Sequence, residues 1–244
     1  MTDTASSRSL LWGLVALAVG ILLAGFATAG ALKNLRRADD DITVTGSAKR
    51  AIRADYAVWR PAVSAQNLSV NDAFQQVQAN TASVVAFLKA QGIPDSSVTL
   101  RPVETMSMDS YDSNGHQRPP TYRVTQTFEI RLHDVDAMTK LAREANALAT
   151  QGVPLVGSGP EYIYTKLSDI RIAMLGDATK DARVRAERIA QSVDLKLGKV
   201  RGVRLGVFQI TPRNSTEVSD MGINDVTSIE KDITAVVRVD FGLD

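Results

Sequence analysis

The residues of this chain that could carry out chemistry are few and scattered. Asp109, Asp112 and His116 come closest to forming a site, because a carboxylate beside an imidazole can transfer protons or bind a metal. They lie in the segment DSYDSNGHQRPP, where Asn-Gly and Pro-Pro are typical of turns and no third ligand has metal spacing. A solvated loop therefore explains them better than an acid–base or metal site does.

The remaining candidates are weaker. His133 follows a predicted strand, and Ser158 in VGSGPE lacks the residue order of a nucleophile elbow. The chain contains no cysteine, and neither a G-x-G-x-x-G nor a P-loop pattern occurs in it. We therefore predict that the protein is not an enzyme, with no catalytic, cofactor-binding or metal-binding residues and no cofactor.

Composition argues against one further class of function. Lys and Arg number 28 against 27 Asp and Glu, and the two signs alternate along the 244 residues. A nucleic-acid-binding protein is expected to show a basic excess or a basic patch, so we predict no nucleic-acid partner. The apolar content of 44% is enough for a substantial core.

The strongest single feature is an uncharged apolar stretch from Leu10 to Leu32. As a helix it would be about 35 Å long, enough to cross the ~30 Å hydrocarbon layer of a membrane. The tripeptide ATA at 27–29 has the form of a signal-peptidase site, but the stretch exceeds the ~7–15 residues of a signal-peptide core. We favour a retained anchor or signal-anchor (10–32) between an N-terminal tail (1–9) and a charged juxtamembrane linker (33–41). Cleavage after Ala29 is the alternative.

Two long strands are predicted from alternating apolar and polar residues. In TYRVTQTFEIRL one face carries Tyr122, Val124, Gln126, Phe128, Ile130 and Leu132, and in DITAVVRVDF one face carries Ile233, Ala235, Val237, Val239 and Phe241. Alternation of this kind indicates a sheet covered on one side only, and hence mainly antiparallel pairing. The segment RNSTEVSDMGINDVTS (213–228) before the last strand is predicted to be a mobile surface loop, whose only functional role would be partner binding.

Three helices are predicted from caps and helical spacing. The first follows Ser69, with Asp72 three residues later, and ends before Gly92 and Pro94; its predicted buried face is Val70, Phe74, Val77, Thr81, Val84 and Leu88. The second runs over about 134–151 and is predicted to bury Val135, Met138, Leu141, Ala145 and Leu148. The third contains DATKDARVRAERIAQ and is predicted to present Leu175, Ala178, Ala182, Ala186, Ile189 and Val193 on one side.

An alanine at every fourth position, from Ala178 to Ala190, distinguishes this third helix. A ridge of methyl groups lets a helix axis approach its neighbour closely, which suits packing against a sheet that carries Val, Ile and Phe. A seam between helices of two protomers is the alternative at the same spacing. The order of elements in 42–133, strand-helix-strand-strand, recurs in 153–243. We therefore predict an α+β fold of two tandem units, mainly antiparallel sheet packed by helices, preceded by one transmembrane helix.

Four stretches of this body resemble the SIMPL-domain family of bacterial envelope proteins. They are ITVTGSAKRAIRADYAVW, LKAQGIPDSSVTLRPV, YDSNGHQRPPTYRVTQTFEIRLHDVD and DATKDARVRAERIAQSVDLKLGKV, in the order that the family shows. The chain departs from the family pattern at Ala54, where a proline is usual, and at Thr125-Gln126, where Ala/Ser-Asn is more usual. The resemblance covers about residues 42 to 243, and the family has no established catalytic residues to transfer.

The resemblance implies two tandem strand-helix-strand-strand units in an extracytoplasmic, often oligomeric protein with a loose link to envelope or oxidative stress. It favours a single-pass protein of the bacterial inner membrane with its body on the periplasmic side. Lys33, Arg36 and Arg37 after the apolar stretch argue for the opposite orientation, since positive residues tend to stay in the cytoplasm.

Two functions follow as expectations. The first is a non-enzymatic, membrane-anchored envelope protein that forms homo-oligomers or scaffolds an unknown protein partner. The alternative is a module that binds a small molecule or lipid in a groove between sheet and helices.

Overall fold

A computed structural model of the chain describes residues 41–111, 113, 114 and 116–243, and in addition Trp12, Leu17, Ala18, Gly20 and Gly25. Of the predicted tail, anchor and linker, only those five residues and Asp41 are described; the rest of the predicted anchor lies outside the described residues. Among the residues that are described, no helix is both long and apolar enough to cross a bilayer. The anchor and its orientation stay predictions.

Eleven strands and four α-helices form the described body. The strands are β1 (Asp41–Arg53), β2 (Tyr56–Trp59), β3 (Ala62–Asn67), β4 (Val98–Leu100), β5 (Glu104–Tyr111), β6 (Gln117–Leu132), β7 (Glu161–Ile163), β8 (Leu197–Leu205), β9 (Gln209–Pro212), β10 (Ile223–Asn224) and β11 (Glu230–Leu243). The helices are α1 (Val70–Ala90), α2 (Val135–Glu144), α3 (Ala147–Thr150) and α4 (Leu167–Ser192), with a 3-10 turn at Asp95–Ser97.

The chain forms two units that are built from interleaved segments. Of the described residues, those in Lys49–Met174 and Val207–Ala235 form the larger unit, and those in 41–48, 175–206 and 236–243 belong to the smaller unit. Three elements, β1, α4 and β11, begin in one unit and end in the other. The predicted repeat of 42–133 in 153–243 stays a prediction, because these units are defined by contacts rather than by sequence order.

Strand β6 is the central strand of the larger unit. Its first half pairs with β3 and β5, its second half pairs with β2 and β4, and all four pairings are antiparallel. Strand β2 continues the sheet to β7, again antiparallel. Strand β9 pairs with the first part of β11 antiparallel and with β10 parallel. The predicted mainly antiparallel α+β architecture is therefore confirmed.

The core of the larger unit lies between this sheet and helices α1 and α2. Every residue predicted on the buried face of the second helix is buried, and Phe128 and Ile130 of β6 are completely buried beside them. Helix α1 begins as predicted, since the Ser69 hydroxyl oxygen accepts a hydrogen bond from the Asp72 backbone N–H at 3.4 Å. Its predicted face was partly wrong, because Val70 and Phe74 are exposed and Ala73 is buried in their place.

In the smaller unit, strand β1 packs against the alanine ridge of α4. Ala178, Ala182, Ala186 and Ala190 are all buried. A Cβ atom placed on Gly46 of β1 would lie 2.1 Å from the Ala178 carbonyl oxygen, so the backbones of β1 and α4 are in direct contact. Glycine on the strand and side chains no larger than alanine on the helix permit so close an approach.

Part of the predicted helix face was wrong. Ile189 and Val193 are exposed. The buried face of α4 follows the alanines at four-residue spacing as far as Ala190 and does not include these two residues. The face predicted for the last strand is confirmed, since Ile233, Ala235, Val237, Val239 and Phe241 are all buried.

Candidate functional site

The structure describes two of the three residues that came closest to forming a site in the sequence. Asp109 lies in the exposed strand β5, His116 is exposed just before β6, and Asp112 lies outside the described residues. Within the described part of the chain, no group of three or more His, Asp or Glu side chains could hold a metal ion. The absence of a metal and of catalytic residues therefore stays a prediction.

His133 and Ser158 have structural neighbours. The His133 ring lies 5.1 Å from the Tyr56 ring, centroid to centroid, in a tilted stack. The Ser158 carbonyl accepts a hydrogen bond of 3.1 Å from the Trp59 indole N–H, which fastens the loop before β7 to strand β2. Neither arrangement activates a nucleophile.

The loop 213–228 contains local structure, and its mobility stays a prediction. It contains the short strand β10, and its start is held by the Asp232 carboxylate, which accepts from the Asn214 backbone N–H at 2.9 Å. Its end is held by Asp225, whose Oδ1 accepts from the backbone N–H and the hydroxyl of Thr227, both at 2.8 Å. Val218 and Met221 are exposed at its tip.

Asp225 also forms a buried ion pair. Lys231 Nζ lies 3.1 Å from Asp225 Oδ2 and donates to the Asp225 carbonyl, and the two side chains are only 1% and 6% exposed for Lys231 and Asp225. Burial alone would raise the pKa of Asp225, but the hydrogen bonds from Thr227, Lys231 and Ser228 lower it to about 2. Burial lowers the pKa of Lys231, and the carboxylate of Asp225 counteracts part of that shift.

A second buried carboxylate, Glu129, lies on the opposite face of the sheet from the core. Three arginines surround it, and we call Arg60, Arg101 and Arg131 with Glu129 the arginine cluster. Glu129 Oε2 accepts from Arg60 Nε at 3.3 Å and from Arg101 Nε at 3.1 Å and Nη2 at 2.9 Å. Glu129 Oε1 pairs with Arg131 Nη2. Arg60 also donates to Glu161 at 2.9 Å.

The backbone holds the arginines in place. The Arg101 N–H donates to the Thr127 carbonyl at 2.9 Å, and the Arg101 carbonyl accepts from the Gln126 side chain at 2.6 Å. Pro61, next to Arg60, accepts from the Phe128 N–H at 2.8 Å. The cluster is therefore built into the register of β6 with its neighbours.

The electrostatics of the cluster keep Glu129 ionised. Burial would raise the pKa of Glu129, but the hydrogen bond from Arg60 and the charges of Arg131 and Arg101 lower it below its ordinary value. The hydrogen bond to Glu161 is the largest of the causes that raise the pKa of Arg60.

A small cavity opens beside the cluster. It has a volume of about 200 Å³ and is lined by Val58, Arg60, Ser158, Gly159 and Glu161. Alternation in the sequence predicts that Glu129 and Arg131 lie on the solvent-exposed face of this strand, and it indicates no role for them. The available signal was the order Glu-Ile-Arg near the end of this alternating strand, which puts a carboxylate and a guanidinium on one face.

The edge strand β8 in the smaller unit leaves apolar residues uncovered. Val200, Val203 and Leu205 are paired with Phe241, Val239 and Val237 of β11, so they belong to the same face of the sheet. Their partners are at most 2% exposed, whereas Val200, Val203 and Leu205 are 53%, 49% and 63% exposed. Among the described residues β8 pairs only with β11, so its outer edge is open.

Strand β5 is an open edge in the larger unit. Among the described residues it pairs only with β6, and Met106 and Tyr111 are 65% and 64% exposed. Its charged residues are Glu104 and Asp109, both acidic, whereas those of β8 are Lys199, Arg201 and Arg204, all basic. The two open edges therefore carry opposite charge.

Comparisons with known proteins identify the family. The model of the family described as SIMPL, protein of unknown function (DUF541), matches residues 42–241. The uncharacterized protein YggE of Edwardsiella ictaluri (strain 93-146) is 26% identical over 180 residues, which is 72% of each chain.

A solved structure, described as the crystal structure of a hydrolase from Listeria innocua, aligns over 80% of this chain and 91% of its own. The identity is 10% and the TM-score is 0.23, so this similarity supports no conclusion on fold or activity. The family match, in contrast, covers most of the chain and agrees with the resemblance of its four stretches: the chain belongs to the SIMPL family.

Proposed function

We propose that this protein is a non-enzymatic, membrane-anchored protein of the bacterial envelope that assembles with copies of itself. The observation that carries the proposal is the uncovered apolar row on β8. Val200, Val203 and Leu205 continue a buried face of the sheet, yet about half of each side chain contacts water. An open edge strand with apolar side chains is a template for pairing with another strand.

The second copy supplies the partner strand. In the proposed assembly, the acidic edge β5 of one copy adds to the basic edge β8 of the next copy, with main-chain hydrogen bonds between them. Because the two edges are different surfaces, the contact is head-to-tail and can repeat, giving a ring when the rotation closes. Pairing of β8 with itself is disfavoured, because Lys199 and Arg204 would then face like charges.

The location in the envelope is supported by the sequence. Leu10 to Leu32 contains no charge, which favours an anchor of one membrane-spanning helix. Membership of the SIMPL family favours a body on the periplasmic side, with a loose link to envelope or oxidative stress. Anchoring many copies in one membrane would restrict them to two dimensions and favour their assembly.

The proposal is tested by charge reversal and light scattering on the detergent-extracted full chain. One variant reverses β8 (Lys199→Glu with Arg204→Glu), and the other reverses β5 (Glu104→Lys with Asp109→Lys). We expect the native chain to form a defined oligomer and each variant alone to be smaller. A mixture of the two variants should regain the native mass, because each reversed edge then meets its complement.

A matched control carries the same charge change elsewhere. Glu217→Lys with Asp220→Lys changes two exposed acids in the loop 213–228 and should leave the oligomer intact. A monomeric native chain would refute self-association. Variants that both keep the native mass would refute the role of β5 and β8.

A scaffold for another protein and a small-molecule binder remain the competing functions. The predicted groove between sheet and helices is the site for the second of them. A thermal-shift screen separates a binder, since a ligand at 100 times its dissociation constant adds about 2.7 kcal/mol to the free energy of unfolding.

A further inference from the structure

The arginine cluster holds more positive charge than its structural role requires. The charge of one buried carboxylate is balanced by one guanidinium, yet Glu129 is contacted by three. Glu161 is the other acid bonded to the cluster, through Arg60. Three arginines against two glutamates leave one positive charge in excess at this place on the sheet.

The arginines also keep donors that a ligand could use. A guanidinium has five N–H donors, and the hydrogen bonds among the described residues engage at most two of them on each arginine of the cluster. The side chains of Arg60, Arg101 and Arg131 are 41%, 56% and 52% exposed. The buried Glu129 carboxylate thus positions the guanidinium groups, and the parts of the arginine side chains that do not contact it stay accessible to solvent.

The neighbouring cavity provides room for a ligand beside Arg60, the one arginine of the cluster among the residues that line it. Its volume of about 200 Å³ is several times the ~30 Å³ that a water molecule occupies in the liquid. Arg60 lies in its wall, together with the exposed residue Ser158. Glu161 lies there too and opposes an anion, although its charge is partly compensated by Arg60.

We propose that the arginine cluster binds a phosphate-type oxyanion, with Arg60, Arg101 and Arg131 as ligands and Glu129 as the residue that positions them. The three arginines come from different strands or strand ends, so their donors approach from different directions. A phosphate group has several oxygens that can accept from more than one guanidinium at once, so it can use the donors that Glu129 and Glu161 leave free. The phosphate group can belong to a free phosphate compound or to a lipid headgroup.

The first test is titration of the full chain with inorganic phosphate, followed by isothermal calorimetry and by the melting temperature. We expect saturable binding to the native chain and a dissociation constant about tenfold higher for Arg131→Gln or Arg101→Gln, since one charge-assisted hydrogen bond is lost. Arg123→Gln is the matched control: it removes an arginine of the same strand that is bonded to Gln66, away from the cluster. This control should bind phosphate as the native chain does.

A variant that is expected to bind phosphate more tightly distinguishes a binding site from a cluster that only stabilises the fold. Glu161→Gln removes the negative charge from the cavity wall and weakens the hold of this side chain on Arg60, so phosphate should bind more tightly. Titration of the detergent-extracted full chain with short-chain phosphatidylglycerol, beside inorganic phosphate, distinguishes the sources: binding of the lipid that Arg131→Gln weakens indicates a headgroup, and binding of inorganic phosphate alone indicates a free compound. No binding of either probe, or equal affinity in Arg131→Gln, Glu161→Gln and native chains, would overturn the proposal.

Discussion

Glu129 and Asp225 are both buried carboxylates in the larger unit, but their surroundings differ in kind. Asp225 meets one buried lysine, and its other oxygen is saturated by Thr227 and Ser228 from its own loop. Glu129 meets three arginines that are each about half exposed. In both cases burial raises the pKa and the donors lower it below the ordinary value.

The difference separates two kinds of ion pair. In a closed pair both charges are buried and balanced, whereas in an open pair the cations are in excess and partly exposed. Around Asp225 the charges balance, and the pair fastens the end of the loop 213–228 to β11. Around Glu129 the cations outnumber the acid, and they contact water as well as the carboxylate. The first arrangement is expected to serve stability, whereas the second retains the capacity to bind an anion. Three changes test this comparison.

The largest effect is expected from Asp225→Asn. Removing one partner leaves Lys231 charged and buried without a counter-ion, which typically costs about 3–5 kcal/mol of the free energy of unfolding. Urea unfolding followed by circular dichroism measures it. Asp220→Asn, an exposed acid in the same loop, is the control and should change the free energy by less than about 0.5 kcal/mol. Equal losses in both variants would mean that the Asp225 pair is not closed.

The same pair predicts a dependence of stability on acid. The pKa of Asp225 is about 2 in the folded protein against an ordinary value of 3.8, so the unfolded chain binds the proton first. The stabilisation by Asp225 is complete above about pH 4 and is lost as the pH falls through about 2. This pH-dependent part of the free energy of unfolding amounts to about 2 kcal/mol. The difference in unfolding free energy between the native and Asp225→Asn chains should shrink from pH 5 to pH 2, and parallel curves would contradict the assignment.

The smallest effect is expected from Glu129→Gln. The three arginines can turn towards water once the carboxylate is gone, so the melting temperature should fall less than in Asp225→Asn. Because exposed charges are screened by salt, the difference from the native chain should narrow in 0.5 M NaCl. The loss in Asp225→Asn should not change with salt. A larger, salt-independent loss in Glu129→Gln would make Glu129 the closed pair and reverse the comparison.

Local sequence patterns were sufficient for most of the fold. Strict alternation in 121–132 and 232–241 predicted β6 and β11 with the buried faces that the structure has. The Ser69 and Asp134 caps predicted where α1 and α2 begin. These features depend on residues a few positions apart, so a single sequence contains them. The two exposed residues Val70 and Phe74 were mistaken because helical spacing identifies an apolar face but not how far its neighbours cover it.

The sequence by itself determined the alanine ridge of α4, the alternating strands and the lack of any recognisable catalytic pattern. Only the tertiary structure decided that the partner of the ridge is Gly46, more than 130 residues away, and that Arg60, Arg101 and Arg131 converge on Glu129. Periodicity is a property of neighbouring residues, whereas the close contact and the charge cluster depend on which distant segments pack or pair and in which register. These contacts between distant segments form only when the chain folds.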